Sequence, residues 1–367
     1  MTSAAIPGSG RLLAIDAARG LALVGMIIVN VGPVAAESGW HRLWLAPYGR
    51  ASILFVVVAG ISMSLFLRPG RAGRRTLVVL WRAGVLLAGG LLLGLLPHGV
   101  NVILPLYGAL FLAALVLCWL PSWALIVIAT VFAALGPVLF VGETLDHAGD
   151  GGFALRWDAG ARDLLHTLFL TRPYPFIVWI VPFILGMLLG RVGLSSRRNQ
   201  KKMIWSGAAA AVAGLAASEV LTAAYGPFES GYGMLLTGTP HGQMPLWLLS
   251  SLGSATLALG LLLYFWNKIE TVARPLVLAG QMALTPYVVH LVALAVLRPE
   301  EGFGFPEGIG MSLVLIAGCL AAAVLWRRFF RLGPLEWVLK ARWLELPPRR
   351  ETLSTRDSRR MRQITTE

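Results

Sequence analysis

Ten apolar runs, separated by short polar connections, dominate this chain and restrict it to one kind of solvent. They read as spans near 18–36, 52–68, 77–97, 101–119, 121–142, 174–193, 203–225, 246–266, 275–297 and 309–326. Several reach the roughly 20 residues that a helix needs to cross a ~30 Å hydrocarbon core. Only 13% of the residues are charged and the mean hydropathy is +0.73, too little polarity for a water-facing surface on a chain of this length. The expected fold is therefore an all-α polytopic membrane bundle of about ten transmembrane helices, residues 1–326, followed by a short interfacial helix, 327–346, and a basic tail, 347–367.

The basic residues orient that ladder. If the N-terminus is cytoplasmic, the exterior connections hold Arg42, Arg50, Arg156, Arg162, Arg172 and Arg298, and the other 25 of the 31 Lys and Arg residues lie inside. Cations beside cytoplasmic span ends set orientation during insertion, so the expectation is N-in and C-in, in the plasma (inner) membrane. The net charge of +13 is explained by this topology and by attraction to anionic inner-leaflet lipids, and no nucleic-acid module is visible. The run ending in Val34-Ala35-Ala36 has the outline of a secretory signal, but Asn30 interrupts it and an even number of spans requires it as span 1.

Local patterns add detail. Span 7 carries Ser206, Gly207, four alanines and Gly214, a face of small residues suited to close helix packing. The exterior connection after span 5 is long and is expected to fold back as a short interfacial helix around Leu164, Leu165 and Leu168. Leu335, Leu339, Trp343 and Leu346 recur at helical spacing opposite Lys340 and Arg342, the pattern of a helix lying in the cytoplasmic interface. Cys118 and Cys319 stand alone within spans and read as packing residues, and no spacing suits a metal site.

Chemistry is sought where polar groups enter apolar spans, because each is costly at the bilayer centre unless paired or wetted. Asp16 and Arg19, three apart at the start of span 1, share a helix face and read as an anchoring ion pair or a ligand contact. Asn30 stands eleven residues beyond Arg19, as an interhelical hydrogen bond or a ligand contact. Eleven residues further, His41 sits at the exterior surface in Trp40-His41-Arg42-Leu43-Trp44. Arg50, at the outer mouth of span 2, either snorkels to headgroups or meets an anionic or sugar ligand. His98 and His241 lie at exterior positions, each with a hydrogen-bonded structural role as the alternative, and His290 falls inside span 9, where an imidazole requires a partner. Arg71, Arg74 and Arg75, after span 2, are placed to attract a polyanion from the cytoplasm.

A resemblance connects these positions. Asp16-Ala17-Ala18-Arg19-Gly20, Asn30, His41, Trp44 and the Gly49 to Gly60 stretch resemble the start of the heparan-alpha-glucosaminide N-acetyltransferase catalytic domain. Downstream, Pro105-Leu106-Tyr107-Gly108, Pro173-Tyr174-Pro175, Pro240-His241, the Gly280 to Tyr287 run with His290, and Gly333-Pro334-Leu335-Glu336-Trp337 resemble the DUF418 family. The division implied is an acyltransferase-like part, 1–120, and a DUF418-like part, 121–326. The activity implied is transfer of an acetyl or other short acyl group from cytoplasmic acetyl-CoA, with no metal, to an exterior sugar or glycolipid.

The resemblance gives His41 the catalytic role and sets Asn30 in the acyl-CoA site. Asp16, Arg19, Arg71, Arg74, Arg75, Tyr107 and His290 join the cofactor side, and Trp44, Arg50, His98, Tyr174 and His241 the acceptor side. One departure is visible: the acidic residue that the animal enzymes carry after the His has no counterpart where Arg50, Ala51 and Ser52 stand. The residue chemistry agrees with the implied reaction, since a His with an ordinary pKa near 6.5 accepts a proton from an attacking hydroxyl or amine, and Asn hydrogen-bonds a carbonyl or amide. Membrane lipids and the acceptor are the expected partners, with a homodimer allowed. The competing class is a transporter or lipid-export component, for which Gly280, Pro286, Pro137 and Pro182 would supply broken or kinked helices.

Overall fold

The computed structural model describes residues 13–33, 39–67, 72–146, 160–171, 173–226, 228 and 230–341, and among these it is helical with no strand. In chain order the helices are α1 (Leu13–Val31), α2 (Gly39–Trp44), α3 (Ala51–Phe66), α4 (Ala72–Leu93), α5 (Leu104–Leu117), α6 (Ser122–Asp146) and α7 (Ala161–Leu170). They continue as α8 (Phe176–Arg191), α9 (Arg197–Tyr225), α10 (Pro245–Ile269), α11 (Arg274–Gln281), α12 (Leu284–Leu297), α13 (Phe305–Phe329) and α14 (Pro334–Lys340), with a 3-10 turn at Tyr232–Leu236.

Each apolar run of the sequence coincides with a helix or, over 275–297, with a helix pair. Six helices, α1, α4, α6, α9, α10 and α13, are long and apolar enough to cross a membrane, and α11 with α12 makes a seventh if the pair is one broken span. The protein is thus a multi-pass membrane protein with six or seven such spans among the described residues. Helices α3, α5 and α8 have only 16, 14 and 16 residues. At 1.5 Å per residue that is about 21–24 Å, short of the hydrocarbon thickness. Two of the three, α3 and α8, are also buried over most of their length, apolar on every side as central helices must be.

Glycines bring the central helices together. A Cβ on Gly60 would meet Phe183 O, and one on Gly186 would meet Val57 O, so α3 and α8 cross backbone to backbone. Gly20 and Gly280 do the same for α1 and α11. The small face read in span 7 packs on α10, where Gly207 meets the Gly253 to Leu257 backbone. This is packing by close approach, as expected where lipid offers no hydrophobic drive between helices.

Of two local expectations, one is met by a helix at the expected place and the other differs in detail. The expected interfacial helix after span 5 is α7, tied to α6 where His166 Nε2 lies 3.3 Å from Glu143 Oε1. At the C-terminal end, residues 327–329 complete α13 where the interfacial helix was expected to begin, and the separate α14 folds back onto the bundle. Trp81 Nε1 and Arg82 Nε, both on α4, donate to Val338 O and Leu339 O at 2.9 Å each. Glu336 accepts from Thr285 N at 2.9 Å and from Thr285 Oγ1 at 2.6 Å, satisfying the start of α12. The residues from 342 onward, with the basic tail, lie outside the described residues.

Candidate functional site

The sharpest irregularity in the bundle is the break between α11 and α12, bent by 86° at Met282 and Ala283. It opens onto a cleft of about 370 Å³ walled by α1, α3, α4, α5, α11 to α14 and their connections. At one end the lining includes Arg82, Arg327, Arg331 and Lys340, with Glu336, itself engaged by Thr285, as the carboxylate. At the other end it is Met26, Ile103, Tyr107 and Tyr287, all buried.

A charged chain of contacts crosses the cleft wall. Arg19 donates to Asp16 Oδ1 at 3.0 Å, to Gly280 O at 3.1 Å and to Ser62 Oγ at 2.7 Å. Gln281 Nε2 donates to Asp16 Oδ2 at 3.2 Å and its Oε1 accepts from Arg327 at 2.8 Å. The pair read from three-residue spacing is therefore real, and it ties α1 to α3, α11 and α13. Removing one partner would strand a charge away from water, at about 3–5 kcal/mol for a buried pair.

At the inner end the two tyrosines differ. Tyr287 Oη accepts from Ile103 N at 3.3 Å, at the start of α5. The ring of Tyr107 is held by edge contacts to Phe55 and Phe111 at 5.5 and 6.2 Å. Its hydroxyl is buried with no hydrogen-bond partner among the described residues, an arrangement that costs about 1–3 kcal/mol unless a ligand completes it.

Met26, Ile103 and Tyr287 also line a second, much smaller cavity, with Asn30, Ser52, Tyr174 and His241. The three shared residues line both spaces and mark the neck of protein where the two adjoin. This second cavity has room for about one water molecule. Asn30 Nδ2 lies 2.9 Å from His290 Nε2, and His290 Nδ1 lies 3.2 Å from Pro286 O. Because a carbonyl only accepts, Nδ1 carries the proton and Nε2 accepts from the Asn30 amide. His290 is the partner of Asn30, and this explains how an imidazole and an amide are tolerated inside the bundle. Arg298 clamps the same region by donating to Asn30 O and His98 O at 3.1 and 3.4 Å.

The far wall is aromatic. His241, at a positive φ of 57°, lies 5.1 to 6.3 Å from the rings of Tyr48, Tyr174, Trp179 and Trp247. Burial pushes the His241 pKa down to about 4, so the ring is neutral at pH 7. Trp179 Nε1 donates to Gln243 Oε1 at 2.8 Å, and Gln243 Nε2 donates to Pro173 O and His241 O at 3.1 and 3.2 Å, fixing the turn. Gly49 has φ +73°, and a Cβ there would meet Trp247 Nε1 at 2.6 Å, so the turn before α3 requires glycine.

The remaining candidates are dispersed. His41, on α2, is buried and stacks on Phe305 at 3.4 Å between ring centroids, with Trp40 against its edge. It lines neither cavity. Trp44 is half-buried on the same helix, and Arg50 donates to Ala46 O at 3.3 Å, its guanidinium pKa lowered by burial. Both ring nitrogens of His98 are taken by backbone, Leu93 O at 2.9 Å and Val100 N at 3.0 Å. Arg75 donates to Phe66 O at 2.8 Å and lies over the Phe66 ring, outside the cleft lining. Arg71 and the Arg74 side chain lie outside the described residues.

Sequence reasoning passed over Arg82, Arg327, Arg331, Lys340 and Ser62 as site residues. The cations read as ordinary cytoplasmic charges, and only the fold-back of α14 and the break after α11 gather them. Among the described residues no three His, Cys, Asp or Glu side chains gather as metal ligands.

Comparison with known proteins adds a family. No curated protein matches the chain. Residues 189–344 match a family described as protein of unknown function, DUF418. Residues 11–219 match the family described as heparan-alpha-glucosaminide N-acetyltransferase, catalytic. The first of these stretches holds Gln281, Tyr287, His290 and Glu336, and the second holds Asp16, Arg19, Asn30, His41 and Tyr107, so the cleft is built from both. The second match covers more than half of the 367 residues, and the chain belongs to the heparan-alpha-glucosaminide N-acetyltransferase catalytic family.

Proposed function

We propose that this protein transfers an acetyl or other short acyl group from acyl-CoA to a sugar or glycolipid on the opposite side of the plasma (inner) membrane. The observation that carries the reading is the meeting of two cavities at Met26, Ile103 and Tyr287, one wide and basic-mouthed, the other small and closed by aromatic rings. CoA phosphates would be met by Arg82, Arg327, Arg331 and Lys340, which supply charge-assisted hydrogen bonds where the cleft is widest in cations. The pantetheine arm would then run inward past Arg19 and Gln281 to the neck. Asn30, oriented by His290, would hydrogen-bond the acyl end, and the acceptor would arrive past Tyr174 and His241.

The general base in this proposal is His41, as the family resemblance implies. Its ring is stacked on Phe305, so the role requires α2 to carry it over the small cavity. His241, neutral and already lining that cavity, is the competing base. In the same proposal the short helices α3, α5 and α8 and the broken α11 and α12 complete ten crossings, with both termini cytoplasmic and the basic mouth inside.

Sided proteoliposomes test this directly. Radiolabelled acetyl-CoA supplied on the face bearing the C-terminus should acetylate a glycolipid extract confined to the other face. The 86° break after α11 also suits a transporter. A protein that moved glycolipid across the bilayer and left it unlabelled would establish that reading and refute acyl transfer.

A further inference from the structure

We propose that the Tyr107 hydroxyl is a catalytic hydrogen-bond donor that holds the carbonyl oxygen of the acyl thioester at the inner end of the cleft. The inference rests on the acyl-CoA reading of that cleft and deepens it by naming the group that polarises the bond to be broken. Tyr107 lines the cleft next to the neck, and its hydroxyl is buried and unpartnered among the described residues. Phenylalanine would fill the same space between Phe55 and Phe111 without burying an idle hydroxyl. The neighbouring Tyr287 is the contrast, since its oxygen is spent on Ile103 N. One tyrosine is therefore part of the scaffold and the other keeps an unspent donor in the wall where the ligand ends.

The chemistry needs such a donor. The lone pair of the acceptor oxygen or nitrogen attacks the thioester carbon, and the C=O π electrons move onto oxygen, where the Tyr107 O–H holds them. Collapse of this intermediate re-forms C=O and breaks the C–S bond. The thiolate leaves with the electron pair, and the proton taken from the acceptor by the general base passes to it, giving CoA thiol and acylated acceptor. The phenol keeps its proton through this cycle and acts only as a donor. Acetyl-CoA approaching from the basic mouth would set its carbonyl oxygen against Tyr107, on the side of the neck where Asn30 stands, while its methyl faces Met26 and Ile103.

The test uses the full chain in nanodiscs, with acetyl-CoA and its thioether analogue S-ethyl-CoA, which has a CH₂ in place of the carbonyl. Wild type should bind acetyl-CoA more tightly than S-ethyl-CoA, and Tyr107→Phe should bind the two alike. In label transfer at saturating acetyl-CoA, Tyr107→Phe should lower kcat by roughly 100- to 1000-fold, the usual effect of removing one such donor, with the KM for the acceptor little changed. The thermal midpoint should be unchanged or higher, which a merely structural tyrosine would not give. Wild type alone supplies an independent reading: the infrared band of bound acetyl-CoA carrying ¹³C at the carbonyl should lie below that of free acetyl-CoA. Near-normal turnover in Tyr107→Phe, retained discrimination between the two ligands, or an unshifted carbonyl band would each overturn the assignment while leaving acyl transfer itself standing. A wild type that bound neither CoA species would overturn the acyl-CoA reading and this assignment together.

Discussion

The two cavities on either side of Met26, Ile103 and Tyr287 are built on opposite principles. The larger is lined by Arg82, Arg327, Arg331 and Lys340 and reaches a buried hydroxyl, so it is shaped for a ligand that is anionic at one end and polar at the other. The smaller admits about one water molecule and is closed by the rings of Tyr174, His241 and Tyr287. The contrast teaches that a single conformation serves one substrate at a time. A roomy cleft with a basic mouth is open to its ligand, whereas a closed aromatic wall must move before a sugar reaches Asn30. A segment able to make that motion is α2 with His41, which packs loosely on the other helices, whereas Gln243 fixes the turn that carries His241.

The largest effect should come from the residue on which that motion matters most. His41→Ala is expected to lower acyl transfer by roughly 100- to 10,000-fold, the contribution of a positioned acid–base group, with acyl-CoA binding retained because His41 lies outside the cleft lining. Phe305→Ala, which removes the ring on which His41 is stacked, should change the rate without abolishing it. If His41→Ala transferred at near the wild-type rate and His241→Ala did not, the base would be the residue already lining the small cavity, and no movement of α2 would be needed.

How much of this was legible in the sequence follows the same division. The helix ladder was readable because apolar length is a one-dimensional signal, and the Asp16–Arg19 pair because helical spacing fixes it. The partnership of Asn30 with His290 was not, since 260 residues separate them and only the packing of α12 against α1 unites them. The cations that line the cleft were not legible, for a physical reason. Arg75 looked available beside Arg71 and Arg74, but Phe66 at the end of α3 offers it both a carbonyl and a ring. Arg327 and Arg331 looked like generic charges until α14 turned back over them. The span count was legible only in part: α3, α5 and α8 read as full spans and form helices of 16, 14 and 16 residues.

The aromatic side of the comparison can be sharpened by pH. His241 is held with a folded pKa of about 4, below the ordinary 6.5, because burial disfavours its charged form. Its neutral state therefore contributes stability fully above pH 6.5, and this is lost as pH falls from 6.5 towards 4, where the folded site at last accepts the proton. A separation of about 2.5 units corresponds to an upper bound of about 3 kcal/mol. Thermal midpoints measured between pH 7.5 and 4.5 should fall for wild type, and His241→Phe should flatten part of that slope. Identical slopes would mean that His241 is wetted and that the small cavity is more open than its aromatic wall implies.

The smallest effect belongs to the basic mouth, where solvent screens each charge. Arg331→Gln with Lys340→Gln is expected to weaken acyl-CoA binding by about 10-fold, because exposed phosphate contacts lose part of their worth to water and salt. The same pair should reduce the salt dependence of binding. Arg75→Gln should leave both quantities nearly unchanged, since its guanidinium is already committed to Phe66. Calorimetric titration at low and high salt separates the two positions. If Arg75→Gln weakened binding more than the Arg331 and Lys340 pair, the phosphates would lie beside the α3–α4 connection. The cleft would then take its ligand from a different side, although its inner end at Tyr107 and the neck would be the same.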